Sequence, residues 1–463
     1  MLLALLLAIL AVLCGLAVNR ALGARPTSHS WARGAFGLDK ASTRSLRLGP
    51  IVAKTFSADA PGIPVSVAPF SGLASVAVLT TWCAAIGAPP LVSSGLVVAF
   101  AAVGLIVGVP AAKQAINEAK SQRVTAAILA AAVVIPWLLL GIALIGVDAP
   151  VSTHDGAFHV ESVDNLRRGV PVQGWYPMAF HTSVAAVLRL VPWVDTARGT
   201  LEAAQAMALL APLGVFALGV ALGLDKRIAS IGALVLALTY IYPYDDHMWG
   251  GYPLATSILL LLALWSVAAR WIARPRVGMA ALAGLLAGGV VLAHGTEVYS
   301  AIIGLMVIAA LDVRRLNVFA LLKHMPLAFA VAVVCTLPYL QVLLGWAAGG
   351  GASVAAIDEL SSQARAGSGA GWLGFVLGMT GAGSVLDVPL RAALLIVGAR
   401  KRQLRGVLAA WVAFGVLLFG VSFVNLAAVR WLYVVTFPWL EGHRPAQMLA
   451  LFASLLVAIG AFD

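Results

Sequence analysis

Charged residues are scarce in this sequence: Asp, Glu, Lys and Arg together make up only 11% of its 463 residues. Hydrophobic residues make up 61%, and the mean hydropathy is +0.98. Soluble domains carry about 25% charged residues, and about half of their residues are apolar. The shortage of charge therefore excludes an ordinary soluble protein and predicts a polytopic membrane protein.

Cysteine is also scarce, with three residues in the whole chain. Cys14, Cys83 and Cys335 each lie inside an apolar run, and they lack both the even number of a disulfide framework and the close spacing of a metal site. We expect all three to be packing residues.

Long apolar runs are what the sequence has in abundance. A helix needs about 20 apolar residues to cross a hydrocarbon core of about 30 Å, because lipid cannot satisfy unpaired backbone groups. The runs predict an all-α fold, a single transmembrane domain over 1–463 with about thirteen helices. The first run lacks a basic start and an A-x-A site, so we expect it to be retained rather than cleaved. The predicted spans are 2–19, 71–88, 91–109, 124–146, 201–223, 228–242, 253–271, 277–293, 298–312, 325–346, 384–399, 406–428 and 446–462.

Three of these spans are shorter than the others, namely 228–242, 298–312 and 384–399. A short apolar segment must tilt, thin the bilayer around it, or form part of a broken or re-entrant helix. We therefore expect one of the three to be tilted, broken or re-entrant.

Lys and Arg are unevenly distributed among the predicted loops. With the N-terminus outside, 22 of the 30 basic residues fall on the cytoplasmic side, as the positive-inside rule requires. The longest of these segments, 20–60, is predicted to be a basic cytoplasmic loop. The asymmetry predicts a multi-pass plasma-membrane protein with a cytoplasmic C-terminus. The net charge of +11 then reflects contact with membrane lipids, and we expect no nucleic-acid partner.

Acidic residues and histidines concentrate on the other side. The same topology places 13 of 19 acids and six of eight histidines outside. Polar groups that converge on one side of a membrane suggest a site, and their mixture with Trp and Tyr suits a polar ligand with a ring surface. They fall in four segments: 147–199, 242–252 (YPYDDHMWGGY), 294–297 (HGTE) and 439–447 (WLEGHRPAQ).

The segment THDGAFHVESVDNLRRG, 153–169, has seven ionisable residues among seventeen. As a helix over 156–168 it would lie flat on the outer membrane surface, with Asp155, His159 and Ser162 on one face. Asp155 is predicted to cap this helix, to act chemically, or to do both, since capping donors keep a carboxylate ionised. The remaining charged residues are predicted to solvate the helix surface, namely Glu161, Asp164, Arg167 and Arg168.

A second helix is predicted in GWYPMAFHTSVAAVLRLVP, which follows a Gly-Trp-Tyr-Pro turn and is also amphipathic. Two amphipathic helices exceed what a simple link between spans needs. We therefore predict that the external loop 147–199 carries the active site.

The arrangement DGAFH (155–159) followed by GWYPMAFH (174–181) resembles the first large external loop of GT-C glycosyltransferases, which use polyprenyl-phosphate-linked sugars. It looks especially like actinobacterial members with an Asp-x-x-Phe-His segment and a Tyr-Pro-x-x-x-His turn. The resemblance covers roughly 147–300 and, more weakly, 439–447. It departs from the family in two ways: three extra spans precede the loop, and the sequence ends at Asp463 without an extracytoplasmic domain.

The resemblance implies a transfer of sugar from a polyprenyl-phosphate donor to a cell-envelope glycan or glycolipid acceptor. Asp155 matches the family's catalytic or metal-associated carboxylate and would deprotonate the acceptor hydroxyl, with inversion at the anomeric carbon. Arg444, and next Arg430, would bind the lipid phosphate, although both suit interfacial anchoring as well. No cofactor is firmly predicted, but a divalent cation, Mg or Mn, could take part.

The other polar residues of the four segments are predicted to bind substrate. Asp245 and Asp246 also suit a turn, Trp249 and Tyr252 an interfacial aromatic belt, and Glu297 a helix cap. The predicted substrate-binding residues are His154, His159, Tyr176, His181, Asp245, Asp246, His247, Trp249, Tyr252, His294, Glu297, Glu441 and His443.

Two other functions fit the same residues less well. A transporter or flippase of a polar or lipid-linked substrate would place ionisable residues near the middle of its spans, but here they lie at the rim. A metal site is disfavoured because zinc ligands on one helix are usually closely spaced, whereas His154, His159 and His181 are five and twenty-two residues apart.

Overall fold

The described part of the chain is entirely helical. The structure is a computed structural model, and it describes residues 2–22, 65–152, 155–172, 176–311, 318–348, 394, 396–398, 405–423 and 443–462. No strand occurs in these ranges, so the predicted all-α class is confirmed for them.

Fifteen helices lie within these ranges and are labelled here in chain order. They are α1 (Leu2–Ala21), α2 (Ala68–Ala85), α3 (Pro90–Ser121), α4 (Arg123–Ala143), α5 (Asp155–Arg168), α6 (Ala179–Leu188), α7 (Thr196–Ala221), α8 (Lys226–Ala237), α9 (Asp245–Trp249), α10 (Tyr252–Ala273), α11 (Val277–Ala293), α12 (Val298–Leu311), α13 (Val318–Ala348), α14 (Arg405–Phe423) and α15 (His443–Ala461).

Seven of the helices are long and apolar enough to cross a membrane, which supports the predicted membrane insertion. Helices α11, α12, α14 and α15 coincide with four more of the predicted spans, but each has a shorter apolar stretch. The total of thirteen spans stays a prediction, and most of span 384–399 lies outside the described residues. The seven candidate spans lie within α1, α2, α3, α4, α7, α10 and α13.

The predicted span 228–242 is broken, as we expected for one of the short runs. Helix α8 ends at Ala237, and the segment Tyr242–Trp249 continues at an angle of 54° to it. Tyr242 has an extended backbone inside the break, and Pro243 has no N–H to donate to a helix. The bend carries the polar segment 245–247 into the bundle, where Asp246 and His247 are buried.

Helix α3 extends well beyond its apolar part. It has 32 residues, or about 48 Å at 1.5 Å per residue, which exceeds a hydrocarbon core of about 30 Å. The predicted spans 91–109 and 124–146 imply a loop over 110–123, which is wrong, because the helix continues through Pro110 to Ser121. Its protruding end carries Glu118, which forms an ion pair with Lys226 at the start of α8.

Helices α1 and α2 pack antiparallel with their backbones in contact. A Cβ atom on Gly15 would overlap the carbonyl oxygen of Ala68, and one on Gly72 would overlap that of Ala11. Small residues that allow such close approach are typical of helix pairs in membranes.

The polar ends of several helices meet at one end of the bundle, which we call the site end. It contains α5, α6 and α9, the last turn of α11, and the first turns of α10 and α15. Contacts between distant residues define it: the Tyr176 and His294 rings lie 6.1 Å apart between centroids, and Gln447 donates a hydrogen bond to Asp246. The opposite end, where Lys226 pairs with Glu118, is called the basic end.

Candidate functional site

Aromatic and imidazole rings from four helices and the turn before α6 form the centre of the site. The His159 ring of α5 lies 4.9 Å from His181 of α6 and 5.8 Å from Tyr252 of α10, between centroids. Tyr176 closes the cluster at 5.7 Å from His159, and His247 lies 6.1 Å from Tyr252. The sequence placed all five rings in a common site, and the structure brings all five together.

His159 and His181 form a buried hydrogen-bonded pair. The Nδ1 atom of His159 lies 2.8 Å from Nε2 of His181, and the side chains are 3% and 0% exposed. Each neutral ring carries one proton, so one of these two nitrogens donates and the other accepts.

Burial keeps both imidazoles neutral. Desolvation lowers the pKa of His159 to about 4, although the nearby Asp155 carboxylate opposes this change. The pKa of His181 is lowered well below its ordinary value, first by burial and then by the charge that His159 would carry. The pair is therefore a fixed hydrogen-bonding group at neutral pH and not a cation.

The neutral pair should make the protein less stable in acid. Unfolded His159 binds a proton below pH 6.5, whereas the folded state resists protonation until about pH 4. Stability is therefore complete above pH 6.5 and falls as the pH drops towards 4, by about 3 kcal/mol for this residue, with His181 acting in the same direction. We expect the apparent melting temperature in detergent to fall over this range, and less steeply in His159→Gln. An identical pH profile for that variant would contradict the assignment.

Asp155 begins helix α5 beside the turn between α9 and α10. Gly250 in that turn has φ of +90°, and a Cβ on it would lie 2.6 Å from the Gly156 nitrogen and 3.0 Å from the Asp155 Cβ. Only glycine combines this conformation with such a close approach. The close contact at this turn also fixes the position of Asp155.

Asp246 is fully buried in α9 and is held by two elements. Its Oδ1 accepts a hydrogen bond of 2.7 Å from Nε2 of Gln447 on α15, and its backbone carbonyl accepts from Gly250 and Gly251. His247 beside it directs Nδ1 at the Pro243 carbonyl, 3.2 Å away. Asp245 and Trp249 lie on the same short helix and are half-buried.

Four buried polar atoms of the site have no hydrogen-bond partner within the described structure. They are Nδ1 of His181, Nε2 of His247, Oε1 of Gln447 and the hydroxyl of Tyr252. Buried polar groups are nearly always paired, so each such atom calls for an explanation. Oε1 of Gln447 can only accept a hydrogen bond, and so can Nε2 of neutral His247, because its Nδ1 donates to the Pro243 carbonyl. The site is therefore suited to a ligand that donates, such as one with hydroxyl groups.

His294 and Glu297 form the edge of the site at the turn between α11 and α12. Both are buried, and Nδ1 of His294 lies 2.8 Å from the Thr296 hydroxyl and 4.0 Å from a Glu297 oxygen. The His294 ring faces Tyr176. The structure thus places both predicted residues against the ring cluster.

A cavity of about 320 Å³ lies beside the ring cluster. Tyr176 belongs to both, because its ring contacts His159 and His181 and also lines the cavity. The wall is formed by the end of α2, the starts of α3 and α6, the end of α5 and residues 338–339 of α13. Its polar lining residues are Thr80, Thr81, Ser93, Tyr176, Thr182, Arg189 and Tyr339.

Arg189 contributes a positive charge to this cavity wall. Its guanidinium donates to the carbonyls of Leu166, Arg167 and Pro90 and to the Ser93 hydroxyl. No carboxylate of the described chain forms an ion pair with it. Four of the five N–H groups are used, so Arg189 fastens α5 to α3 and leaves one donor and an unneutralised charge.

Some predictions for the site end were not met in detail. Nine of the ten residues of α6 are buried, because α2, α3 and α5 pack around it, so this helix, predicted to be amphipathic, has almost no exposed face. Arg167 does not simply solvate α5: it donates to Val194, Pro192 and Thr196 and ties the helix to the start of α7.

Five predicted site residues are not fully described by the structure. His154, Arg430 and Glu441 lie outside the described ranges, and at His443 and Arg444 only the backbone of α15 is described. The contacts proposed for these five residues stay predictions.

The described residues contain no group of three His, Cys, Asp or Glu side chains that could hold a metal ion. The described donors therefore give no support to the possible Mg or Mn ion.

The sequence missed several residues of the site. Phe158 and Phe180 pack against the imidazoles, and Thr80 and Thr182 line the cavity with a hydroxyl contact of 3.0 Å. The threonines lie within apolar stretches and gave no signal. Gln447 is the last residue of the polar segment WLEGHRPAQ, so the polar residues before it were a signal that could have identified it.

Comparison with protein-family models, with curated proteins and with solved structures gave no match for this chain. The function must therefore be argued from the site itself.

Proposed function

We propose that this protein is a membrane glycosyltransferase that moves a sugar from a polyprenyl-phosphate donor to a hydroxyl of a glycan or glycolipid. The observation that carries the proposal is the shared position of Tyr176, which joins a buried, acceptor-rich polar site to a cavity with a cationic wall. A lipid-linked sugar has matching parts, namely a hydroxyl-rich ring and a phosphate on an apolar chain.

The cavity is suitably placed for entry from the bilayer. Pro338 and Tyr339 of α13 form part of its wall, and α13 is the most exposed of the seven candidate spans. An exposed apolar helix of this length faces lipid. A donor could therefore enter beside α13 with its chain still in the membrane.

Arg189 would face the donor phosphate in the cavity. Guanidinium pairs well with phosphate oxygens, and this one has no carboxylate competing for it. Arg444 and Arg430 remain proposed phosphate partners from the sequence. The sugar would lie towards Tyr176, and Nδ1 of His181 and Oε1 of Gln447 would form hydrogen bonds with its hydroxyl groups.

Asp155 would act as the general base. It takes the proton from the acceptor hydroxyl, whose oxygen attacks the anomeric carbon while the bond to the phosphate oxygen breaks. The lipid phosphate leaves as an anion and needs no proton. Because His159 and His181 are neutral and already paired, they suit orientation of the substrate rather than acid catalysis.

The test uses the purified full-length chain in proteoliposomes with radiolabelled polyprenyl-phosphate sugars and a set of glycan and glycolipid acceptors. We expect label to appear in a new glycosidic linkage with at least one donor. Labelled lipid-linked sugar that crosses the bilayer without a new linkage would instead show a flippase, which is the alternative that the sequence left open.

A further inference from the structure

Arg270, in the last turn of α10, is a basic residue whose positive charge has no partner in the described structure. It lies at the basic end, opposite the active site, and is only partly exposed. No hydrogen bond or ion pair involves its guanidinium in the described chain, and its Nε atom is buried without a partner.

The neighbourhood of Arg270 is positively charged. Lys226 at the start of α8 is close enough for repulsion between the two cations. Lys226 forms an ion pair with Glu118 of α3, whereas no described carboxylate forms an ion pair with Arg270. Asp225 is the only other described acid of this end, so exposed Arg227 and Arg276 leave positive charge in excess there.

A covered cation without a counter-ion is costly. Arginine stays protonated in proteins, so it cannot escape the cost by losing its proton. Burying a charge is tolerated when the charge is paired and hydrogen-bonded, which Arg270 is not within this chain. An arginine that only snorkels buries its aliphatic stem and exposes its guanidinium to water. In Arg270 the Nε atom, which belongs to the guanidinium, is itself buried.

We propose that Arg270, with Lys226 beside it, binds the phosphate of an anionic phospholipid in the leaflet at the basic end. The residue ends a candidate span, which places it at headgroup level. A phosphate offers planar guanidinium two acceptor oxygens and neutralises the excess charge. Basic pockets between helices on the predicted cytoplasmic side bind lipid headgroups in this way. This proposal does not rest on the proposed glycosyltransferase activity.

The experiment measures lipid retention by native mass spectrometry of the full-length chain in neutral detergent. The probes are phosphatidylglycerol and phosphatidylcholine with the same acyl chains. We expect wild type to retain phosphatidylglycerol at least fivefold better, and Arg270→Gln to lose at least fivefold of that retention. Arg227→Gln is the matched control, since it removes an exposed arginine from the same end and should leave retention unchanged.

Two further measurements separate binding from folding and lipid from free anion. Arg270→Lys keeps the charge without the planar fork and should retain an intermediate amount of lipid. In lipid-free detergent Arg270→Gln should melt no lower than wild type, because it removes an unpaired charge. Equal retention by wild type and Arg270→Gln would overturn the proposal. So would equal losses in Arg227→Gln, or complete displacement of the lipid by millimolar inorganic phosphate.

Discussion

Asp155→Asn is expected to lower the rate of sugar transfer at least hundredfold, because removal of a general base costs about 10²–10⁴ in rate. The amide has nearly the same shape, so the turn at Gly250 and the start of α5 should be undisturbed. The effect should fall on kcat, with little change in KM for the donor. The measurement is the initial rate of label transfer with the donor that wild type uses best.

Asp164→Asn provides the matched control for this prediction. Asp164 lies on the same helix but contacts Arg168 and Thr196, away from the ring cluster. It should keep transfer within about twofold of wild type. Full activity of Asp155→Asn would remove Asp155 as the base, and equal losses in both variants would indicate damage to α5 rather than to the chemistry.

Gly250→Ala is expected to lower transfer about 10–100-fold although residue 250 carries no reactive group. Its φ of +90° costs a non-glycine residue about 1–2 kcal/mol. The added Cβ would meet the Gly156 nitrogen at 2.6 Å, so α5 must shift and carry Asp155 with it. A displacement of about 1 Å in a catalytic group can cost about a hundredfold in rate.

Gly146→Ala separates backbone strain from displacement of the site. Gly146 has φ of +75°, and a Cβ on it would meet nothing within 4 Å. Both variants should melt at lowered temperatures, Gly250→Ala at the lower one because of its added clash, but only Gly250→Ala should lose activity. If the two variants lose activity equally, the close contact between residue 250 and α5 is not what positions Asp155.

The apolar runs of the sequence located the helices well. Twelve of the thirteen predicted spans coincide with described helices, since hydrophobicity over about 20 residues is a local property of the chain. The break near Tyr242 was also foreseeable, because the run 228–242 is short and is followed directly by Pro243. The prediction for 110–123 failed because a helix can continue into water once its polar residues are solvated, as those near Glu118 are.

The candidate site was predicted in outline, and the details depended on packing. Four polar segments at helix ends suggested a shared site, and His159, His181, Tyr176 and Tyr252 do lie together. Burial of α6 could not be predicted, since its pattern of apolar residues also fits a surface helix. The same is true of Arg189, whose position in a cavity wall depends on α3 and α5.

The sequence by itself determined that this protein is helical, where most of its apolar helices lie, and which segments bring polar residues to their ends. These properties follow from neighbours along the chain. Only the tertiary structure decided that His159 and His181 share a hydrogen bond, that Tyr176 joins the site to a cavity, and that Arg270 has no partner among the described residues. Such facts depend on which helices pack together, because a side chain finds its partners across space and at sequence separations that no local pattern records.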